Sequence, residues 1–346
     1  MYALRRELYE SLEAARASRV LLYVTGDRPG LETQLAPEIL DHFIHHLDLI
    51  GNVPRLSLVL HTRGGNTVVA WSLVNLLRQF CRELEVIVPA RAHSAGTLVC
   101  LGADAIVMTK QATLGPIDPA VSTALNPQVP GAPPSTRATV SVEDMNGFIE
   151  FARSVVDDPA RLADAFLALA TSVHPLVLGA AFRARSQIRM LGGRLLAQTG
   201  QSAPQSEKIL NFLCSESGSH DYTIQRREAV DDLGLPVQKP NQTEYEKIRA
   251  LFHDVRAELS LSVPYEPRVI VGSAESARYD LPRALIESVD GGSHCYRSRG
   301  EVRQQVTPPG SGPGPGTGAT TVVDHRTFDG WVHEGPAVTA QDHEPA

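Results

Sequence analysis

The sequence predicts an α/β fold, a mainly parallel β-sheet with helices on its faces. Three observations carry this. Short β-branched and apolar runs alternate with segments of helical hydrophobic spacing from residue 20 to residue 109. Turn signals separate them, notably Gly26 to Gly30 and Gly64-Gly65. At 346 residues and 42% hydrophobic content, the chain can bury a sizeable core.

Taken in order, Leu4 to Ala17 reads as a polar helix, so residues 1–18 form a helical lead-in. Val20 to Val24 is a buried strand, and a helix from about Pro37 sets Ile39, Leu40, Phe43, Leu47 and Ile50 on one face. Then come strand Arg55 to Leu60, helix Asn66 to Phe80, strand Glu85 to Pro89, helix Ala95 to Gly102 and strand Ala105 to Thr109. Crossovers between parallel strands are right-handed, so every strand-to-helix loop opens on one sheet edge, where ligand and catalytic groups belong. Pro127 to Ser135 reads as a flexible loop. Val142 to Ala197 turns helical, with a break at His174-Pro175. Further helices are expected at Glu207 to Cys214, before Gly234 and from Glu244 to Ser260, then a strand at Arg268 to Val271. The Pro/Gly tract Thr307 to Gly318 buries too little apolar area to offset chain entropy. The domain reading is therefore a core at 19–240, a helical C-terminal extension at 241–303 and a disordered tail at 304–346, despite Phe328 and Trp331.

Net charge is −7 and Lys and Arg are scattered, which disfavours nucleic-acid or anionic-membrane binding as the main activity. Four cysteines lie far apart with no CxxC pair, as expected of reduced structural thiols in the cytoplasm. Met1 to Arg19 lacks the apolar core of a secretory signal, and no apolar run reaches the ~18 residues of a membrane span. His42 and His46 have metal-compatible helical spacing, but no acid or cysteine completes a ligand set, so a solvated helix face is expected and no metal or cofactor is assigned. The arginines between Val177 and Leu196 are read as a solvent- or oligomer-facing stripe.

Three loops on the functional edge carry chemistry. In His61 to Gly65, two glycines let the backbone turn sharply and present an amide to a ligand oxygen. In Ala92 to Thr97, Ser94 sits at a strand-to-helix turn, with the Ala95 amide at the helix start. A serine with Gly65 and Ala95 amides is the minimum equipment for acyl transfer, whereas a serine alone at this position is as readily a helix cap. In Leu114 to Pro119, two prolines hold Asp118, either as an ordinary turn residue or as an acid that orients a histidine.

Gly64-Gly65, Ser94 to Thr97 with Gly96, Ala103 to Met108 and Leu114 to Pro119 together resemble the serine dehydrogenase proteinase family. That family is distantly related to Clp peptidases and signal peptide peptidases and has a Clp/crotonase-type fold. His174 to Gly179, Ser219 to Ile224, Glu228-Ala229 and Leu233 to Val237 extend the resemblance across roughly residues 20 to 240. It implies a serine peptidase acting on polypeptides, with Ser94 as nucleophile, Asp118 as orienting acid and His220 as base. It also implies a homo-oligomer. Among other bases, His93 adjoins Ser94 and is expected to point away, His174 is second choice, and no lysine lies between Lys110 and Lys208. The competing readings are a catalytically silent scaffold or peptide-binding protein, and a crotonase-type acyl-CoA enzyme, which needs neither Ser94 nor Asp118.

Overall fold

The computed structural model describes residues 2–306 and 320–334 except 119, 157, 217, 218 and 220. Helix α1 (Tyr2–Arg16) leads into β1 (Arg19–Thr25), α2 (Ile39–Ile50), β2 (Val53–His61), α3 (Thr67–Phe80) and β3 (Cys81–Val88). The two-residue β4 (Arg91–Ala92), α4 (Ala95–Leu101), β5 (Ala105–Met108), and the short β6 (Thr113–Leu114) and β7 (Ala120–Val121) complete the alternating part. After β8 (Val140–Ser141) come α5 (Val142–Val155), α6 (Pro159–Ser172), α7 (Pro175–Gln198) and α8 (Ala203–Asn211), the last running into a π-helical turn at Phe212–Glu216. Then follow β9 (Ile224–Gln225), α9 (Arg226–Asp231), β10 (Val237–Gln238), α10 (Gln242–Glu258), α11 (Pro267–Val271), β11 (Ser276–Ser288), β12 (Gly292–Val306) and β13 (Thr320–Glu334).

The main sheet has the order β10-β5-β3-β2-β1-β11-β12-β13. Strands β10 to β1 in that order are mutually parallel, with Leu21 opposite Leu58, Leu58 opposite Val86 and Val86 opposite Ile106. Side-chain alternation explains the layering. Leu21, Tyr23, Leu58, Leu60, Val86 and Ile106 face one core, under α2, α3, α4, α7 and α8. Their neighbours Val20, Leu22, Val59, Ile87 and Val107 face a second core, under α1 and α10. The parallel strands are thus buried on both faces, which is why they read as continuous apolar runs. At the lead-in, buried Arg5 donates to both carboxylate oxygens of buried Glu287 at 2.8 and 2.6 Å, tying α1 to β11.

Four expectations are corrected. The extension beyond residue 241 is helical only as far as α10 and α11, and then adds antiparallel strands to the sheet edge at β1. Arg268 to Val271 lies in the one-turn helix α11 rather than a strand, because Pro267 at the first helical position fixes a helical start. The tail is ordered in part: Gln304 to Val306 end β12 and residues 320–334 pair along β12, whereas 307–319 and 335–346 lie outside the described residues. The histidine face of α2 is not solvated, since His46 is fully buried against Ser288 and His294.

The helical stretch after Val142 breaks at His174, as expected, where the imidazole caps α7; before that it is divided into α5, which ends at Val155, and α6, which starts at Pro159. Arg189 of α7 is paired with Glu207 at 2.5 Å and is not a bare solvent-facing charge. Among the described residues, no single helix is long and apolar enough to cross a membrane. The four cysteines are free thiols.

Candidate active site

Strands β2, β3 and β5 end on one sheet edge, and the loops that follow them converge there. The loop after β2 is fastened at Thr62, whose amide donates to Arg91 O (3.1 Å) and whose carbonyl accepts from His93 N (3.0 Å). It then meets the segment after β1. Leu35 N donates to Gly64 O at 2.8 Å and Leu35 O accepts from Asn66 N at 2.9 Å. In this strand-like pairing alternate backbone groups face opposite sides, so the intervening Gly65 amide faces away from Leu35. Among the described residues it has no acceptor. Glycine is required here on two counts. Gly64 and Gly65 have φ of +119° and +142°, and a Cβ on Gly65 would lie 2.4 Å from Leu35 O.

Ser94 lies in the turn between β4 and α4 with φ 51° and ψ −116°, one of three non-glycine residues of positive φ among those described. Such a conformation costs about 1–3 kcal/mol and persists only where its surroundings enforce it. The enforcing contact is Gly64, where a Cβ would lie 2.7 Å from Ser94 Cβ and 3.2 Å from the Ala95 nitrogen. Ser94 makes no side-chain cap to α4, so the helix-cap reading fails. Gly96 is needed for the same packing, since a Cβ there would meet Thr62 Cγ2 at 2.5 Å. Ala95 is buried, and its amide, at the first position of α4, has no acceptor among the described residues.

Asp118 follows β6 on a loop held by Ile117 N donating to Leu213 O at 2.8 Å. Ser141 Oγ donates to Asp118 Oδ2 at 3.1 Å while accepting the Glu143 and Asp144 amides at 3.1 and 3.2 Å, so it caps α5 and fixes the carboxylate together. Ser94 and Asp118 line one cavity of about 540 Å³ with Gly64, Gly65, Ala184 and Ile188. Asp118 also lines an adjoining cavity of about 730 Å³ with Ser141, Glu143, Arg185 and Ser219. Burial pushes the Glu143 carboxyl above its ordinary range, against the opposing pull of Arg185.

The structure therefore brings together Ser94, Asp118, Gly64, Gly65, Ala95 and Gly96. His220 lies outside the described residues. His93 turns away from its neighbour, its Nε2 bonded to Thr113 Oγ1 at 2.8 Å and its ring packed on Gly115. His174 is exposed and accepts from the Leu176 amide at 3.2 Å. Two supports went unread in the sequence. Thr97 Oγ1 accepts from Gly115 N at 3.0 Å and lies 2.7 and 2.8 Å from the carbonyls of Gly115 and Ala92, which joins the serine turn to the Asp118 loop. Ser141 follows the Ser-x-x-Asp cap pattern, a signal that finds the cap but not the bond to Asp118. A buried pair, His61 and Asp27 (3.4 Å), braces the base of the same loop, with Arg91 3.2 Å from Asp27. Burial would raise the Asp27 carboxyl, but His61 and the arginines hold it below the usual range; burial pushes the His61 imidazole down.

Residues 48–132 match the family of ClpP-like SDH-type serine proteinases. That span holds both glycines, the serine turn and Asp118, and the motif resemblance points to the same family. Two uncharacterized proteins of Methanocaldococcus jannaschii are similar over short stretches. One is 44% identical over 64 residues, 18% of this chain and 22% of the relative. The other is 36% identical over 66 residues, 19% of this chain and 23% of the relative. The chain thus spans about a fifth of the length of each. Among solved structures, a variant of the 1510-N membrane-bound stomatin-specific protease is 16% identical, with a TM-score of 0.38 over 62% of this chain and 79% of that one. A variant of ClpP1 from Listeria monocytogenes is 14% identical, with a TM-score of 0.36 over 70% of this chain and 99% of that one.

Proposed function

We propose that this chain is a serine peptidase that cleaves polypeptides through an acyl-enzyme on Ser94. The observation that carries the reading is the serine turn itself. A serine at φ 51° that makes no cap to α4 lines a cavity together with Gly65, and beside it the amides of Gly65 and Ala95 have no acceptor among the described residues. A strained strand-to-helix turn of this kind exposes a nucleophilic hydroxyl, and two amides at one place supply an oxyanion hole. The family match over residues 48–132 supports the same reaction class.

In this mechanism the Ser94 hydroxyl attacks the scissile carbonyl as a base takes its proton, and the oxyanion is held by the Gly65 and Ala95 amides. The base then protonates the leaving amine, and water resolves the ester by the same route. His220 is assigned as that base and Asp118 as the carboxylate that holds its tautomer. In support, Ser219 lines the cavity that Asp118 and Ser141 also line. The reading carries with it a polypeptide substrate, a homo-oligomeric assembly and a cytoplasmic location.

The decisive test is labelling by a fluorophosphonate, which reacts only with an activated serine. The wild-type chain should label at one site and hydrolyse casein. Ser94→Ala should do neither while keeping its circular dichroism and melting temperature. Unchanged labelling or hydrolysis in Ser94→Ala would remove the nucleophile assignment, and failure of the wild-type chain to label would favour a silent scaffold.

A further inference from the structure

Five histidines meet on the sheet edge opposite Ser94. His42, His45 and His46 come from α2, His294 from β12 and His333 from β13. The site lies beside Ser288, which pairs with Leu21 near the start of β1, whereas Ser94 lies beyond the far ends of the parallel strands. One ring nitrogen from each of His45, His294 and His333 lies within 4.8 Å of the other two. At that upper bound the centre of the triangle would be about 2.8 Å from each, against about 2.0–2.1 Å for a zinc–imidazole bond, so ring shifts under ~1 Å close it.

The hydrogen bonding around the cluster fits ligation. His333 Nε2 donates to Gly291 O at 3.1 Å, which leaves its Nδ1 lone pair free to bind. His294 Nδ1 lies 3.0 Å from His46 Nε2, and His46 Nδ1 lies 2.7 Å from Ser288 Oγ. With protons on His294 Nδ1 and His46 Nδ1, this relay leaves His294 Nε2 as a lone-pair donor. An outer ring that fixes tautomers in this way is characteristic of metal-ligating histidines. His45 Nε2 is buried and has no hydrogen-bond partner among the described residues.

We propose that His45, His294 and His333 form a site for a divalent transition metal, zinc by preference, with a fourth position open to solvent beside exposed His333. Imidazole-only ligands suit zinc and its first-row neighbours rather than calcium or magnesium. The metal would fasten β13, a mostly exposed edge strand, to β12 and α2. Its place on the far edge separates it from the peptidase chemistry, so binding and stability are its readouts.

The test uses the full chain prepared without a histidine tag and stripped with a chelator. Titration with Zn²⁺ in a calorimeter should saturate at one equivalent, and Co²⁺ should give the visible absorption of a tetrahedral site. His45→Gln and His333→Gln, which change partly exposed side chains, should each weaken Zn²⁺ binding at least tenfold while the metal-free melting temperature stays put. Zn²⁺ should raise the melting temperature of the wild-type chain and not of these variants. Absence of saturable binding overturns the proposal without recourse to any variant. So does equal loss in His253→Gln, which alters an exposed histidine outside the cluster, or undiminished binding in both cluster variants.

Discussion

Gly64→Ala tests whether the loop after β2 holds the serine turn in working geometry. A methyl group there would lie 2.7 Å from Ser94 Cβ, 3.0 Å from His93 O and 3.2 Å from the Ala95 nitrogen. Ordinary contact starts near 3.4 Å, so the loop or the turn must separate by about 0.7 Å, and none of the three neighbouring atoms is the end of a flexible chain. The new residue must also leave or endure φ +119°, a strain of about 1–3 kcal/mol. A displacement of that size pulls the Gly65 amide out of register with Ala95. Loss of one oxyanion donor costs about 10²–10³ in kcat. The expected result is a fluorophosphonate labelling rate and a casein kcat lowered about a hundredfold, with KM little changed and circular dichroism preserved. Gly131→Ala serves as the control, since φ there is +77° with nothing within 4 Å, so it brings backbone strain without displacing the site. Rates for Gly64→Ala within about threefold of the wild type would refute the role given to the loop.

Two further outcomes follow from buried titratable groups. Glu287 accepts from Arg5 at 2.8 and 2.6 Å, from Tyr9 at 2.5 Å and from Ser293 at 2.7 Å, all within the core. Arg5 also pairs with Asp254 and Glu258 of α10. Glu287→Gln should destabilise the chain by about 3–5 kcal/mol in urea unfolding, because it leaves a buried guanidinium short of its fully buried partner; a loss below ~1 kcal/mol would show that Asp254 and Glu258 suffice for Arg5. The second outcome is acid sensitivity. His46 and His294 are each pushed down to about 3, mainly by burial and then by the surrounding histidines. In the unfolded chain they protonate near 6.5, so between about 6.5 and 3 the unfolded state binds more protons and stability falls as pH falls. The decline should reach at most about 1.4 kcal/mol per pH unit per histidine, read as a falling urea midpoint in metal-free protein between pH 7 and 5. A flat midpoint across that range would contradict neutral burial.

The parallel core was legible because its strands are buried on both faces and its helices are amphipathic, so period alone separates them. The last three strands were not. In β11 the two-residue alternation is broken at Arg283 and in β13 at Thr327, where the pairings with β12 shift register, and charged residues occupy the exposed face of β11 and β12. In β13 nearly every position is at least partly exposed, so only Phe328 and Trp331 hinted at a strand, and pairing with β12 rather than local pattern makes it one. In the site, Gly64, Gly65 and Ser94 were legible as residue types that a strained turn and a close backbone approach demand. Thr97 and Ser141 were not, because what ties them to the site is hydrogen bonding to Gly115 and Asp118, which lie some twenty residues away in sequence.

The histidine cluster shows the limit of helical spacing as a guide. His42 and His46 share a face of α2 whether that face is wet or dry, and the sequence favours the wet reading because no acid or cysteine completes a ligand set. What decides burial is β12, which arrives some 250 residues later and sets His294 against His46 at 3.0 Å. The same arrival brings His333, since residues opposite one another on antiparallel strands share a face and His294 stands opposite His333. One register therefore does two things. It covers the helix face with two histidines, and it places their rings where His45 has a buried nitrogen without a hydrogen-bond partner among the described residues. A slip of one residue between β12 and β13 would send His333 to the other face, so the cluster depends on the register of the outermost strands and a metal there would in turn hold that register.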